Sequence, residues 1–149
     1  AFWQNLKLDE SDVGGIGGTL AGNALSLAVM KATLQEVLTE EMYRRAMPLA
    51  DRFEAGVNEV IARYGLPWIV KRLGIRVEYW FRQAPPRNGG EANAAVEGKL
   101  DRYMHLYALN RGILMTPFHN MALIAPDTTV ADVDHHTQVF EQAIRELLV

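Results

Sequence analysis

The stretch IRVEYWFR, residues 75–82, decides the predicted fold. Within it, Ile75, Val77, Tyr79 and Phe81 alternate with residues that are mostly charged. A period of two among branched and aromatic residues predicts a β-strand with one buried face.

The other face of this strand carries Arg76, Glu78 and Arg82, which we expect to be exposed and to form cross-strand pairs. Residues 68–73 have the composition of a partner strand, so a hairpin that turns through Leu73 and Gly74 is predicted.

Helical patterns lie on both sides of the hairpin. Residues 42–64, 99–112 and 127–148 repeat their apolar positions with a period near 3.6. Pro48 is expected to kink or restart the first helix, and Thr129 with Asp132 matches a capping box that opens the last. The short apolar runs at 113–115 and 121–125 suit strands. Together these elements predict an α+β fold, a small antiparallel or mixed sheet packed with helices.

A further helix is predicted at residues 20–38, and it is apolar on nearly every face. Such a helix must be buried on most sides. Gly22, Ala24, Ser26 and Ala28 are small enough for another backbone to come close.

Length and composition limit the possible functions. The 149 residues fit one ordinary domain, and the net charge of −3 provides no basic field for nucleic acid. The absence of cysteine excludes disulfides and thiolate metal sites and fits a reducing, cytoplasmic compartment. No segment reaches the roughly 20 apolar residues of a membrane span. Because the sequence lacks an initiating Met, we expect that it was processed or belongs to a longer protein.

The glycine-rich stretch 12–22 does not match the common phosphate-binding motifs. Gly17 and Gly22 have the spacing of a P-loop, but Asn23 and Ala24 occupy the positions of its Lys and Ser or Thr. The dinucleotide fingerprint requires a glycine where Leu20 stands.

Two interpretations of this stretch remain. The glycines could simply make a tight turn into a closely packed helix. Alternatively, the Thr19 hydroxyl and the backbone N–H groups before the helix could bind an anion.

Four segments resemble one known family. GTLAGN at 18–23, PPRNGGEA at 85–92, KLDRYMHLYALNRGILMTPFHN at 99–120 and TTVADVDHHTQVFEQAI at 128–144 are similar, in unbroken order, to class III (fold type I) pyridoxal-phosphate-dependent aminotransferases. The similarity is greatest to the glutamate-1-semialdehyde aminomutase branch.

The resemblance implies a domain assignment and a cofactor. Residues 1–19 would lead in from a large domain, and residues 20–149 would form the C-terminal small domain. Gly18 and Thr19 would bind the phosphate of pyridoxal 5′-phosphate held by the neighbouring subunit, in a homodimer formed through the large domain.

The resemblance places the catalytic lysine upstream of this chain. Lys7, Lys31, Lys71 and Lys99 do not have its setting, so the chain holds no catalytic residue and is predicted to be inactive alone. No metal site is expected either, because the adjacent histidines in DVDHH, residues 132–136, project on different helix faces. We expect this segment to be the solvated start of a helix.

The parent enzyme would transfer an amino group between an amino acid or amine and an oxo-acid or aldehyde. His119, Asn120 and Arg87 are the candidate residues for binding these small-molecule substrates, and Arg111 is a weaker one.

Two other functions remain open. Aminomutases usually carry a Phe–Glu pair after the proline that matches Pro117, and the FHNM at 118–121 lacks the acid. An aminomutase-type isomerase is therefore the first alternative. A non-catalytic dimerisation or interaction module is the second.

Overall fold

The computed structural model describes residues 22–116 and 119–149. The chain divides into two compact units, Ala1–Thr39 and Glu40–Val149. The predicted division at residue 19 stays a prediction.

The described part of the first unit is one helical segment. Helix α1, Ala24–Ala32, continues into a π-helical turn, Thr33–Val37, and none of their residues is buried. The side chain of Asn23 caps α1 by accepting a hydrogen bond from the Ser26 N–H at 3.0 Å. The helix is present as predicted, but its predicted burial is not found among the described residues of this chain.

The second unit contains the remaining elements. In chain order these are α2 (Glu40–Arg63), β1 (Ile69–Leu73), β2 (Arg76–Trp80), α3 (Gly89–Asn93), α4 (Gly98–Leu109), β3 (Met121–Leu123) and α5 (Val130–Leu147). The predicted capping box at the start of α5 is present with both of its hydrogen bonds. Residues 113–115, predicted to form a strand, are irregular. The α+β prediction is confirmed.

Helix α2 passes through Pro48 without a restart. The ring removes one backbone donor, but buried residues before and after it, Ala46 and Ala50, keep the helix against the core. The helix ends at Arg63, and Gly65 just beyond it has a φ of +60°, which glycine adopts without strain. The N–H groups of Gly65 and Leu66 bond back to the carbonyls of Ala62 and Ile61, as in a Schellman ending.

The sheet is antiparallel with the strand order β1-β2-β3. Leu73 pairs with Arg76, so the hairpin turn consists of Gly74 and Ile75, and Gly74 has φ +60°. Val77 and Tyr79 are buried on the core face as predicted. The expectation that Glu78 is exposed is wrong, because only 7% of this residue is accessible.

One hydrophobic core lies between the sheet and the helices of the second unit. Helix α2 packs against α5 and against β1 and β2, and α4 packs against α5. The largest fully buried side chains are Val57, Val60, Val77 and Ile144. This core fixes β2 and α4, the two elements that support the candidate site.

A close approach between α2 and α5 makes Gly56 hard to replace. A Cβ at Gly56 would lie 2.6 Å from the Thr137 Oγ1. We expect Gly56→Ala to lower the free energy of unfolding by about 1–2 kcal/mol, because overpacking outweighs the gain in helix propensity. Denaturant unfolding measures this change.

The double variant provides the control. In a Thr137→Ala background the nearest remaining atom is the Cβ of residue 137, at 3.4 Å. There Gly56→Ala should be neutral or stabilising by up to about 1 kcal/mol. The same loss in both backgrounds would contradict the steric cause.

Candidate functional site

The predicted substrate residues His119 and Asn120 directly precede β3. The backbone carbonyl of Asn120 accepts a hydrogen bond from the Tyr79 N–H at 3.2 Å, which ties this residue to β2. Asn120 is 4% exposed, whereas 42% of the His119 side chain is accessible. The two neighbours therefore present one buried amide and one partly open imidazole.

Helix α4 supplies a partner for the buried amide. The Nδ2 of Asn120 donates to the Oδ1 of Asp101 at 2.7 Å. Burial raises the pKa of the Asp101 carboxyl. The backbone N–H of Glu97, the charge of His119 and the bond from Asn120 act in the opposite direction and lower it.

Strand β2 supplies a second carboxylate beside His119. The Oε1 of Glu78 lies 3.6 Å from the His119 Nδ1, an ion-pair distance when the imidazole is protonated. The Oε2 of Glu78 accepts a hydrogen bond from the Arg76 Nη2 at 2.8 Å. Glu78 is only 7% exposed, and its two carboxylate oxygens face Arg76 and His119.

We call Glu78, Asp101, His119 and Asn120 the carboxylate-framed site. It combines hydrogen-bond donors with two carboxylates and can hold and orient a polar ligand. Sequence reasoning found His119 and Asn120 but missed both carboxylates. No sequence signal marks Asp101, and the strand alternation placed Glu78 on the solvent side.

The third predicted substrate residue, Arg87, lies in the loop before α3. Its guanidinium pairs with Glu91 at 2.6 Å, and 84% of its side chain is accessible. This pairing lowers the pKa of Glu91. A substrate carboxylate would have to compete with Glu91. The weaker candidate Arg111 lies over the Tyr107 ring, 3.4 Å from its centroid.

The predicted phosphate ligands Gly18 and Thr19 lie outside the described residues. The described chain begins beside them at Gly22, with φ +74°, and leads into α1. The first turn of α1 has no acidic residue. Among the described residues, this first turn therefore presents no carboxylate that would repel an anion.

A cleft of about 230 Å³ lies between the chain around 112–115, β3 and the start of α5. One wall includes His136, which is 5% exposed and whose buried Nδ1 has no hydrogen-bond partner among the described residues. We expected the pair His135–His136 to lie on a solvated helix start. This holds for His135 but is wrong for His136, which faces the core.

Within residues 22–116 and 119–149, no group of three or more His, Asp or Glu side chains is placed so that it could hold a metal ion. Over the same part of the chain, no helix combines the length and apolarity needed to cross a bilayer.

Curated relatives are aminomutases. The chain is 30% identical over 132 residues to glutamate-1-semialdehyde 2,1-aminomutase 1 of Staphylococcus epidermidis, and 33% identical over 130 residues to glutamate-1-semialdehyde 2,1-aminomutase of Thermus thermophilus. The alignments cover 88% and 85% of this chain but 30% of each relative. The chain thus spans about 30% of the length of the curated relatives that it matches. No protein-family model matches it.

Solved structures agree with these relatives. A crystal structure of a glutamate-1-semialdehyde-aminomutase variant from Pseudomonas aeruginosa PAO1, in complex with PMP, is 53% identical with a TM-score of 0.79. The match covers 89% of this chain and 29% of that one. An omega-transaminase structure from Sphaerobacter thermophilus, 22% identical with a TM-score of 0.69, shares the fold over 91% of this chain and 31% of its own.

Proposed function

Because the chain belongs to the class III, fold type I family of pyridoxal-phosphate-dependent aminotransferases and corresponds to the C-terminal portion of its members, we propose that it is part of an enzyme that moves amino groups. The parent would transfer an amino group between an amino acid or amine and an oxo-acid or aldehyde. The observation that carries this proposal is the 53% identity, over 89% of the chain, to the P. aeruginosa aminomutase structure.

The proposed arrangement divides the chain as its sequence suggests. Residues 1–19 lead in from a large domain that holds the catalytic lysine, and residues 20–149 form the small domain. The same proposal places the parent enzyme in the cytoplasm.

Pyridoxal 5′-phosphate is the proposed cofactor, and Gly18 and Thr19 are its proposed phosphate ligands. When bound, the cofactor supplies the electron sink that makes amino transfer possible. The described residues support an anion near Gly18 and Thr19, because α1 starts at Ala24, six residues after Gly18, with no acidic side chain in its first turn.

His119, Asn120 and Arg87 are proposed to bind the substrate. In this arrangement His119 and Asn120 orient the polar end of the substrate. Arg87 releases its ion pair with Glu91 and binds a carboxylate of the substrate instead. None of these residues forms a covalent bond to the substrate. Their contribution is to hold the reacting carbon in place.

The proposed parent is a homodimer formed through its large domain. The surface of α1 and the π-helical turn supports this, since Leu25, Val29, Met30 and Leu34 are each more than half exposed in this chain. Apolar side chains on every face of a helix require covering surfaces. We propose that the preceding part of the parent covers them.

An aminomutase is the second candidate, and the names of the most similar relatives favour it. It would move the amino group within one substrate. Full-length parent given glutamate-1-semialdehyde alone would isomerise it if this candidate is right. An aminotransferase would instead require both a donor, such as β-alanine, and an acceptor, such as pyruvate.

Replacing the proposed phosphate ligand tests the cofactor assignment. In the full-length parent, Thr19→Val should weaken pyridoxal phosphate binding by about 10- to 100-fold, because a hydrogen bond to a charged group contributes about 1.5–3 kcal/mol. Titrating the apo parent with the cofactor while following its absorbance measures the dissociation constant.

Thr19→Ser is the matched control, since it keeps the hydroxyl and should bind nearly as tightly as the wild type. A dissociation constant for Thr19→Val within twofold of the wild type would exclude Thr19 as a phosphate ligand.

A further inference from the structure

The side-chain amide of Asn120 faces a group that accepts hydrogen bonds. Its Nδ2 lies 2.7 Å from the Asp101 Oδ1. An ionised carboxylate cannot donate, so it is compatible only with the amide orientation that turns the NH₂ toward it. The amide carbonyl of Asn120 is therefore turned away from Asp101.

The backbone of Asn120 is fixed independently. Its carbonyl accepts the Tyr79 N–H, and the residue is 4% exposed. The main chain of Asn120 is thus held by β2. Its side-chain amide could still exchange the positions of its oxygen and nitrogen, and the bond to Asp101 on α4 selects one of these two orientations.

His119 lies beside a carboxylate from a different element. The Glu78 Oε1 is 3.6 Å from its Nδ1, and Arg76 binds the other oxygen of Glu78. The 10% accessibility of the Glu78 side chain means that this carboxylate has little solvent to turn toward. Glu78 is thus a fixed charge beside a more exposed ring.

We propose that Asp101 and Glu78 are positioning residues for the substrate site, Asp101 by fixing the orientation of the Asn120 amide and Glu78 by holding the His119 ring. The inference rests on the proposed function, in which His119 and Asn120 contact the substrate. Neither carboxylate needs to touch the substrate to act in this way. Their effect is on which atoms of the two neighbours are presented.

Asp101→Asn separates a positioning role from a structural one. Asparagine both donates and accepts, so it can bond to Asn120 in either amide orientation and keep the fold while losing the selection. In the full-length holoenzyme with β-alanine and pyruvate as probe substrates, we expect the KM values for these two compounds to rise about 3- to 10-fold. The kcat and the thermal midpoint should change little.

Three further variants complete the test, and the first of them is the control. Asp127→Asn makes the same change of charge at an exposed turn residue and should leave KM unchanged. Asp101→Ala removes the bond and should raise KM while also lowering the thermal midpoint. Glu78→Gln keeps the side-chain shape and should raise KM through His119.

A second readout does not depend on activity. The unit Glu40–Val149 has its own hydrophobic core, so the ¹⁵N-labelled 149-residue chain is suited to NMR. In the wild type, the Asn120 side-chain NH₂ should give one pair of resonances with one proton shifted downfield by Asp101. In Asp101→Asn this proton should move upfield or the pair should split.

The outcomes are distinct. Unchanged KM together with unchanged Asn120 NH₂ resonances in Asp101→Asn would overturn the inference. So would a wild-type NH₂ group that shows no proximity to α4. If the NMR result holds but the wild-type parent transfers no amino group, the proposed function fails and the fixed amide stands.

Discussion

Between pH 6.5 and pH 5, the free energy of unfolding of the 149-residue chain is expected to fall by about 1.6 kcal/mol because of His136. The side chain is 5% exposed, and its ring centroid lies 4.2 Å from that of Phe53. Burial lowers the pKa of His136 to about 3, and the charge of neighbouring His135 acts in the same direction.

The sign follows from proton binding in the two states. In the unfolded chain His136 takes up a proton near its ordinary pKa of about 6.5, whereas in the folded chain it stays neutral down to about 3. The unfolded state therefore binds more protons throughout this window, and stability falls as the pH falls. The raised pKa of Asp101 works in the opposite direction.

Denaturant unfolding of the wild type and of His136→Leu between pH 7 and pH 5 measures the effect. The variant removes the titrating ring, so between pH 7 and pH 5 it should lose about 1.9 kcal/mol less stability than the wild type. Working above pH 5 limits the contribution of the carboxyls whose pKa is lowered by arginine pairs, such as Glu91 and Asp134. His135→Gln, at the exposed neighbour, is the control and should keep most of the wild-type slope. Parallel curves for the wild type and His136→Leu would show that His136 does not stay neutral.

Local patterns were sufficient for most elements of the second unit, although the apolar run at 113–115 predicted a strand where the structure is irregular. The alternation at residues 75–82 located β2, and the capping pair Thr129 and Asp132 located the start of α5. Each of these signals depends only on residues that lie close together in the chain. A period or a cap therefore needs no knowledge of the rest of the fold.

The supporting carboxylates could not be found in this way. Asp101 meets Asn120 across 19 residues, and Glu78 is buried because Arg76 and His119 close over it. Alternation predicts which face of a strand a residue occupies, but not whether another segment covers that face. His136 was missed for a related reason, since the sequence alone does not say which of two adjacent histidines faces the core.

For α1, the sequence pattern predicts more burial than the structure of this chain shows. The sequence predicts that a helix apolar on every face is buried, while in this chain Leu25 is 74% exposed. The prediction concerns the whole protein in which the helix functions, and the chain spans 30% of its curated relatives. Sequence pattern and structure therefore agree if the covering surface belongs to the rest of the parent.

In the presence of pyridoxal phosphate, the 149-residue chain alone is expected to transfer no amino groups, whereas the full-length parent is expected to do so at least about 10³-fold faster. The reaction requires an amine held against the cofactor in a water-excluded pocket. Lys31, Lys71 and Lys99 are exposed in the structure, and Lys7 lies outside the described residues. The measurement is the rate of alanine formation from pyruvate with β-alanine as donor.

Free pyridoxal phosphate at the same concentration sets the background, because the cofactor alone slowly reacts with amines. A variant with arginine at positions 7, 31, 71 and 99 keeps every positive charge and removes every lysine amine. If the wild-type chain exceeded the background and this variant did not, a lysine of this chain would be catalytic. The placement of that lysine in the rest of the parent would then be wrong. Equal background rates for both chains, with rapid transfer by the parent, are the expected result.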